Sequence, residues 1–273
     1  MSKPNILITG CSKGFGLLFA EKLASEGYNV YATVRNLAEA PDLVSLSAKY
    51  ANLEALELDV LNSVHIKRAA KLIDGKDGKL SVLINNAGYG LLGRIEDLEA
   101  DKIQHQFATN VFAPIAITQE FLPLLKKSHE GGLIINISSI ASYLGLPSFG
   151  AYSATKAALN NISMALAAEN AEYGVSVAVI QPGPYKTKFR ESTRESGDSN
   201  YLAAKTKNNI SSTAEEPYEV ACLVSDLIKR KLENKLPSFS EIPIGANSNL
   251  LRLASRWLSQ SMLAGFMVKR FAK

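Results

Sequence analysis

Three side chains in this sequence could together move a proton between an alcohol and the matching carbonyl. Tyr152 and Lys156 stand four residues apart in Tyr152-Ser153-Ala154-Thr155-Lys156. On a helix this spacing puts a phenol and an ammonium on one face. Ser139 lies thirteen residues before Tyr152, just past the apolar run Ile134-Ile135-Asn136-Ile137-Ser138. A buried strand ending there would deliver its hydroxyl to the same cleft. Such a set can act as general acid and base. A phenol is a poor acid–base group near neutrality, with a reference pKa of about 10. A neighbouring ammonium favours the phenolate, so Lys156 is expected to lower the value for Tyr152.

The elements that must position these groups alternate in kind along the chain. Asn5-Ile6-Leu7-Ile8-Thr9 is a short continuous apolar run, as in a parallel strand covered on both faces. Gly10-Cys11-Ser12-Lys13-Gly14-Phe15-Gly16 follows, then a helix carrying Leu17, Ala20, Leu23 and Ala24 on one side. Strand, glycine turn and helix make a phosphate cradle, because glycines allow close backbone approach and a helix N-terminus attracts anions. The spacing is neither G-x-G-x-x-G nor that of a P-loop. Further strands read at 28–34, 53–58, 80–84, 133–138, 175–181 and about 239–244, and helices at 62–75, 101–128, 151–173 and 216–235. Asn110 sits inside the long helix, and Pro114 is expected to bend it. The pattern predicts one α/β domain, a doubly wound Rossmann-type fold with a parallel sheet of about seven strands.

The second strand ends Ala32-Thr33-Val34-Arg35-Asn36, without the carboxylate that would hold the ribose hydroxyls of NAD. Arg35, with Lys13 from the glycine turn, could instead meet a 2′-phosphate, so NADP(H) is expected over NAD(H).

Composition excludes several alternatives. The 273 residues are 47% hydrophobic and carry a net charge of +4. The cations are scattered, with no aromatic-basic stripe, so nucleic-acid binding is not expected. Cys11 and Cys222 are far apart and suit a reducing, cytoplasmic compartment rather than a disulfide framework. His65, His105 and His129 lack metal-ligand spacing, and no metal site is expected. No signal peptide and no run of membrane-spanning length stand out.

Ser139 followed by Tyr152-x-x-x-Lys156, the turn Thr9-Gly-x-x-x-Gly-x-Gly, Asn85-Asn86-Ala87-Gly88 and Pro182-Gly183-x-x-x-Thr187 together resemble the short-chain dehydrogenase/reductase family, over roughly residues 5 to 190. The spacing from Ser139 to Pro147 is similar to that of the steroid- and retinoid-acting branch. The resemblance implies hydride transfer between a nicotinamide and a ketone, aldehyde or alcohol. It implies catalytic roles for Ser139, Tyr152 and Lys156, and for Asn110 a main-chain kink and a water that relays protons from Lys156. It implies cofactor contacts from Gly10, Ser12, Lys13, Gly14, Phe15 and Gly16, from Asp59 and Val60 near the adenine, and from Gly88. Tyr152 and Lys156 would also touch the nicotinamide ribose, and Pro182, Gly183 and Thr187 would hold the carboxamide. Asn85 is expected nearest the ribose, while Asn86 and Ala87 either touch the cofactor or are purely structural. Pairing of the helix after Tyr152 between subunits would give a homodimer or homotetramer.

Ser139, Tyr89, Leu144, Phe149 and Tyr185 are candidate substrate contacts, and the greasy segments around them favour a small lipophilic carbonyl or alcohol. The polar stretch of about 188–214 is expected to be a lid. The tail, about 247–271, reads as an amphipathic basic helix that packs on its own domain, caps and lines the pocket, or lies on a membrane surface. Two rival readings are a sugar-nucleotide epimerase or dehydratase and a non-catalytic NADP-binding sensor or scaffold. The first usually has a different glycine spacing and a longer chain. The second tends to lose the Tyr or the Lys, and both are present here.

Overall fold

The computed structural model describes residues 3–129, 131–187, 193–195 and 214–271. Seven parallel strands form its centre: β1 (Asn5–Ile8), β2 (Asn29–Val34), β3 (Leu53–Glu57), β4 (Val82–Asn85), β5 (Leu133–Ile137), β6 (Ser176–Pro182) and β7 (Phe239–Ile244). Their order is β3-β2-β1-β4-β5-β6-β7. The chain winds outward from β1 on one side, then returns to place β4 on the other. Such a reversal opens a crevice at the carboxyl ends of β1 and β4, where open α/β sheets bind ligands.

Helices cover both faces: α1 (Gly14–Ser25), α2 (Pro41–Lys49), α3 (Ser63–Asp77), α4 (Ala100–Phe107), α5 (Ala113–Lys126), α6 (Gly150–Glu169) and α7 (Tyr218–Leu232). Two more, α8 (Ser248–Trp257) and α9 (Gln260–Phe271), end the chain. Alternation along each strand builds two cores. Ile6, Ile8, Val30 and Ala32 meet Phe19, Leu23, Val224 and Ile228 on one face. Leu7, Leu83, Ile134 and Val177 meet Ile73, Ile117, Phe121 and Leu125 on the other. The result is a single Rossmann-like α/β domain, as the sequence pattern predicts.

Two of the helices differ from expectation. The helix read at 101–128 is broken by a π-helical turn, Ala108–Phe112, which contains Asn110. Pro114 sits buried in the first turn of α5. Having no N–H, it cannot continue the α-helical ladder to the Asn110 carbonyl, and the wider turn absorbs the mismatch. The tail helix is likewise two helices, because Leu258 is extended. A two-residue parallel ladder pairs Leu91 and Leu92 with Arg194 and Glu195. Most of the expected lid at 188–214 lies outside the described residues.

Candidate active site

Tyr152 and Lys156 lie in the first turns of α6, whose small residues let it press against β6. Both are almost wholly buried, at 8% and 6% exposure. Ser139 follows β5 and caps the 3-10 turn Ile140–Tyr143, its hydroxyl accepting the Ala141 N–H at 3.1 Å. The same hydroxyl is hydrogen-bonded to the Tyr152 phenol. Lys156 Nζ donates to the Ile137 carbonyl at 2.8 Å and stands 5.7 Å from the centroid of the Tyr152 ring. Serine, tyrosine and lysine therefore converge.

The electrostatics correct one expectation. Burial pushes the Tyr152 phenol up to about 12, although the Ser139 hydrogen bond pulls the other way. Burial also brings Lys156 down to about 8. The ammonium is itself desolvated and directed at a carbonyl, so it does not offset the cost of a buried phenolate. The phenol is therefore held in its protonated form near neutrality.

Asn110 joins this group from the π turn. Its Oδ1 accepts the Tyr89 N–H at 3.1 Å, and its Nδ2 donates to the Tyr89 carbonyl at 2.9 Å and to Thr155 Oγ1 at 3.2 Å. The side chain is committed to clamping the loop after β4 onto α6. A Cβ at Gly88 would lie 3.0 Å from Asn110 Oδ1 and 3.7 Å from Lys156 Nζ, so that loop runs beside the lysine. Thr155, fully buried behind Asn110, had no distinguishing signal in the sequence.

Next to this group lies the cradle. Gly10 has φ +73°, and a Cβ there would come within 2.8 Å of the Ala87 backbone. A Cβ at Gly16 would stand 2.3 Å from the Gly10 carbonyl oxygen and 2.5 Å from Asn86 Nδ2. Only glycine permits this approach of turn, helix and strand end. α1 begins without a side-chain cap and with no acid in its first turn. Its leading N–H groups are therefore suited to a pyrophosphate. An ideal Cβ on Gly14 would lie 3.8 Å from Thr187 Cβ, which brings the Pro182-Gly183 turn to the mouth of the cradle. Gly183 N–H is held by the Ile244 carbonyl at 2.8 Å. These features fit a dinucleotide.

The two neighbouring asparagines point to different partners. Asn85 is buried and donates to Asn136 Oδ1 at 2.8 Å and Thr118 Oγ1 at 3.3 Å, under the sheet and away from the crevice. Asn86 braces the glycine turn, giving its amide to the carbonyls of Thr9 and Gly10 at 2.9 and 3.0 Å. Thr9 Oγ1 accepts the N–H groups of Asn86 and Ala87 at 3.0 and 3.1 Å.

Towards the adenine side, Cys11 N–H reaches the Thr33 carbonyl at 2.8 Å and ties the turn to the end of β2. Arg35 is exposed just beyond, and Ser12 is exposed in the turn. Glu57, in register with Val34, accepts the Leu37 N–H at 3.2 Å. Asp59 turns its Oδ1 onto the Leu61 N–H at 3.0 Å, and Val60 packs partly into the core.

Candidate substrate contacts divide. Phe149 meets Tyr152 edge-on at 6.1 Å, and Leu144 is half-buried after the 3-10 turn. Tyr89 is buried, with its hydroxyl 2.9 Å from His105 Nδ1 and Arg194 over its ring. Tyr185 differs from expectation: its ring packs edge-on against Phe15 at 5.6 Å and its hydroxyl donates to Glu219 on α7. Phe15 in turn stacks on Phe19. Glu215 and Glu219 both face the Tyr185 phenol, so its ring joins the packing of α1 with α7. The sequence also left unread a polar chain in which Tyr143 donates to Gln181 and Gln181 to Glu241 at 2.8 Å, with Arg256 bound to Glu241 at 3.0 Å.

The same combination recurs in known proteins. The profile described as short chain dehydrogenase matches residues 4–198. A 3-ketodihydrosphingosine reductase of Bacteroides thetaiotaomicron is 37% identical over 186 residues, 68% of this chain and 65% of that protein. This chain thus matches just under two thirds of the length of that relative. An NADPH-dependent 3-dehydrocapnine reductase of Ornithobacterium rhinotracheale is 35% identical over 70% of this chain and 69% of its own. A short-chain dehydrogenase structure from Streptomyces avermitilis superposes with a TM-score of 0.81 at 27% identity, covering 99% of this chain and 100% of the other. With the profile spanning most of the chain and the Ser139, Tyr152 and Lys156 geometry in place, the chain belongs to the short-chain dehydrogenase/reductase family.

Proposed function

We propose that this chain is an NADP(H)-dependent carbonyl reductase acting on a lipophilic ketone or aldehyde, and on the matching alcohol in reverse. The observation that carries the reading is the buried Tyr152 phenol hydrogen-bonded to Ser139, with Lys156 beside it. A bound reduced nicotinamide would supply the hydride to the carbonyl carbon. Ser139 donates to the carbonyl oxygen and orients it. Tyr152 gives its proton to that oxygen as negative charge develops there. Lys156 then lies where it can help return a proton to the phenolate. The high phenol pKa favours reduction, since the acid form is the one present near neutrality.

Preference for the phosphorylated cofactor rests on Lys13 and Arg35 flanking the turn and on the lack of an acid at the end of β2. One relative named above is NADPH-dependent by its name. Leu91 and Leu92, both buried, and Phe149 support an apolar substrate, and another relative is named as a 3-ketodihydrosphingosine reductase. A reducing, cytoplasmic setting fits the two unpaired cysteines. Assembly as a dimer or tetramer fits exposed Phe112 and Met164 beside and on the helices that would pair. Peripheral membrane contact through the tail belongs to the same reading.

The test is loss of nicotinamide absorbance with NADPH and with NADH against steroid ketones, retinal, long-chain aldehydes and small aromatic diketones. Turnover with NADPH on bulky apolar members is expected. Arg35→Ala should raise KM for NADPH about tenfold or more while leaving NADH unaffected, the signature of a lost charge-assisted contact. Turnover confined to NADH, or to sugars, would overturn the reading.

A further inference from the structure

α8 is mounted with its apolar side outward. Leu250, Leu253 and Trp257 recur at i, i+3 and i+7, so they form one stripe along the helix. Packing normally buries such a stripe. Here Leu250 is 67% exposed, Trp257 is 83% exposed and Leu253 more than half exposed. The cationic side faces the domain instead. Arg256 binds Glu241 of β7 at 3.0 Å, and the buried Nε of Arg252 has no hydrogen-bond partner. Both guanidiniums lie near Tyr143, whose pKa burial and Glu241 push well up against their pull. Ser248 fixes the start of the helix through the Gly245 carbonyl at 2.6 Å. The orientation is therefore held by specific contacts at both ends.

The next helix continues the pattern. α9 buries Leu263, while Met262, Phe266 and Val268 are each more than half exposed. Seven of the fifteen large apolar residues that stand exposed among the described residues fall between 250 and 268. Scattered exposed leucines need no explanation, but a concentration of this kind does.

Charge identifies what covers it. Arg252 and Arg256 are taken up by the domain; beyond them Lys269 stands exposed on α9, Arg270 and Lys273 follow in the sequence, and residues 248–273 hold no acid at all. A two-fold contact between copies would bring these cations together, and like charges oppose such an interface. Anionic phospholipid satisfies both features, taking the apolar stripe among its acyl chains and the cations at its headgroups. No helix among the described residues is long and apolar enough to cross a membrane, so the helices would lie in the interface. Trp257 is at the end of α8, a position suited to the headgroup boundary.

We propose that α8 and α9 dock the enzyme on an anionic bilayer, so that the lipophilic substrate enters from the lipid. α8 packs against the 3-10 turn that Ser139 caps, and this places the docking face beside the catalytic group. The substrate clause rests on the reading given under Proposed function. The docking itself is tested without any carbonyl.

Trp257 is the only tryptophan of the chain, so its fluorescence reports this face alone. The full protein is mixed with vesicles of phosphatidylcholine, with and without phosphatidylglycerol. With the anionic lipid we expect a blue-shifted emission, co-sedimentation at least about tenfold stronger than with phosphatidylcholine alone, weakening in high salt, and quenching by brominated acyl chains. The double variant Leu250→Asp, Leu253→Asp should lose about tenfold or more of this binding and keep native turnover of a water-soluble carbonyl. Unshifted emission with the protein left in the supernatant overturns the proposal. So does undiminished vesicle binding by the double variant, or a halving of its mass in vesicle-free solution, which would show that a second copy covers the face. Quenching in the native protein decides the matter even where the double variant fails to fold.

Discussion

α6 and α8 break the rule of burial in opposite directions. α6 turns polar groups inward: Tyr152, Ser153, Thr155, Lys156 and Ser163 are all buried. α8 turns leucines and a tryptophan outward. Burying a polar group costs free energy unless it is hydrogen-bonded. On α6 the partners exist. Lys156 has the Ile137 carbonyl, Thr155 holds Asn110, and Ser163 receives the Asn136 amide at 2.8 Å. Those bonds fix Tyr152 and Lys156 in a dry site, where, on the proposed reading, a proton donor acts strongly on a developing alkoxide. On α8 the exposed stripe brings the fold little, because it touches little. The lesson is that a helix departing from amphipathic packing carries its function on the side that departs.

Removing the Tyr152 hydroxyl is the largest expected break in this contrast. Tyr152→Phe should reduce turnover on the order of 10²–10⁴-fold, while NADPH binding, followed by nucleotide fluorescence, stays nearly unchanged. Full retained activity would remove Tyr152 from the chemistry.

Lys156 tests the cost of the inward side. Its pKa falls from 10.5 to about 8 on burial, so the native state opposes its charge. That penalty is fully present below about pH 8 and vanishes as pH rises to the unfolded value. Native stability from this group therefore rises between those pH values. Relative to the native chain, Lys156→Met should lose up to about 3 kcal/mol of advantage across that window. Paired denaturant titrations at pH 7 and near pH 10.5 measure it; a difference that does not change with pH would mean the lysine is not desolvated. Turnover of the variant should be lost at either pH.

A smaller effect separates structure from chemistry on the same helix. Ser163→Val leaves the Asn136 amide without its acceptor and should cost about 1–3 kcal/mol in denaturant melts, with KM and kcat little changed in the folded fraction. On the outward side, Trp257→Gln should shift stability by no more than about 0.5 kcal/mol. A loss of several kcal/mol there would show that the face is packed rather than presented.

The local motifs were legible because their chemistry is local. Glycines at 10, 14 and 16 must admit backbone, and a Tyr and a Lys four apart must share a helical face. The order of elements likewise dictated a doubly wound sheet. What failed to read depended on direction and environment. Asn85 and Asn86 are adjacent, so the strand points them to opposite sides, and nothing local says which side is the crevice. Pro114 signalled a disturbance, but its form, a π turn centred on Asn110, depends on clamping Tyr89 and Thr155. Tyr185 looked like a pocket residue until Glu219 and Phe15 met it from elements distant in sequence.

Residue identity and spacing, then, determined the fold class, the shared cleft of Ser139, Tyr152 and Lys156 and the close-packed glycine turn, because each follows from backbone periodicity and intrinsic chemistry. Tertiary structure alone decided how acidic Tyr152 is, which asparagine braces the glycine turn and which side of α8 meets solvent. Those properties follow from desolvation and from which distant groups pack alongside, and no stretch of sequence contains its own surroundings.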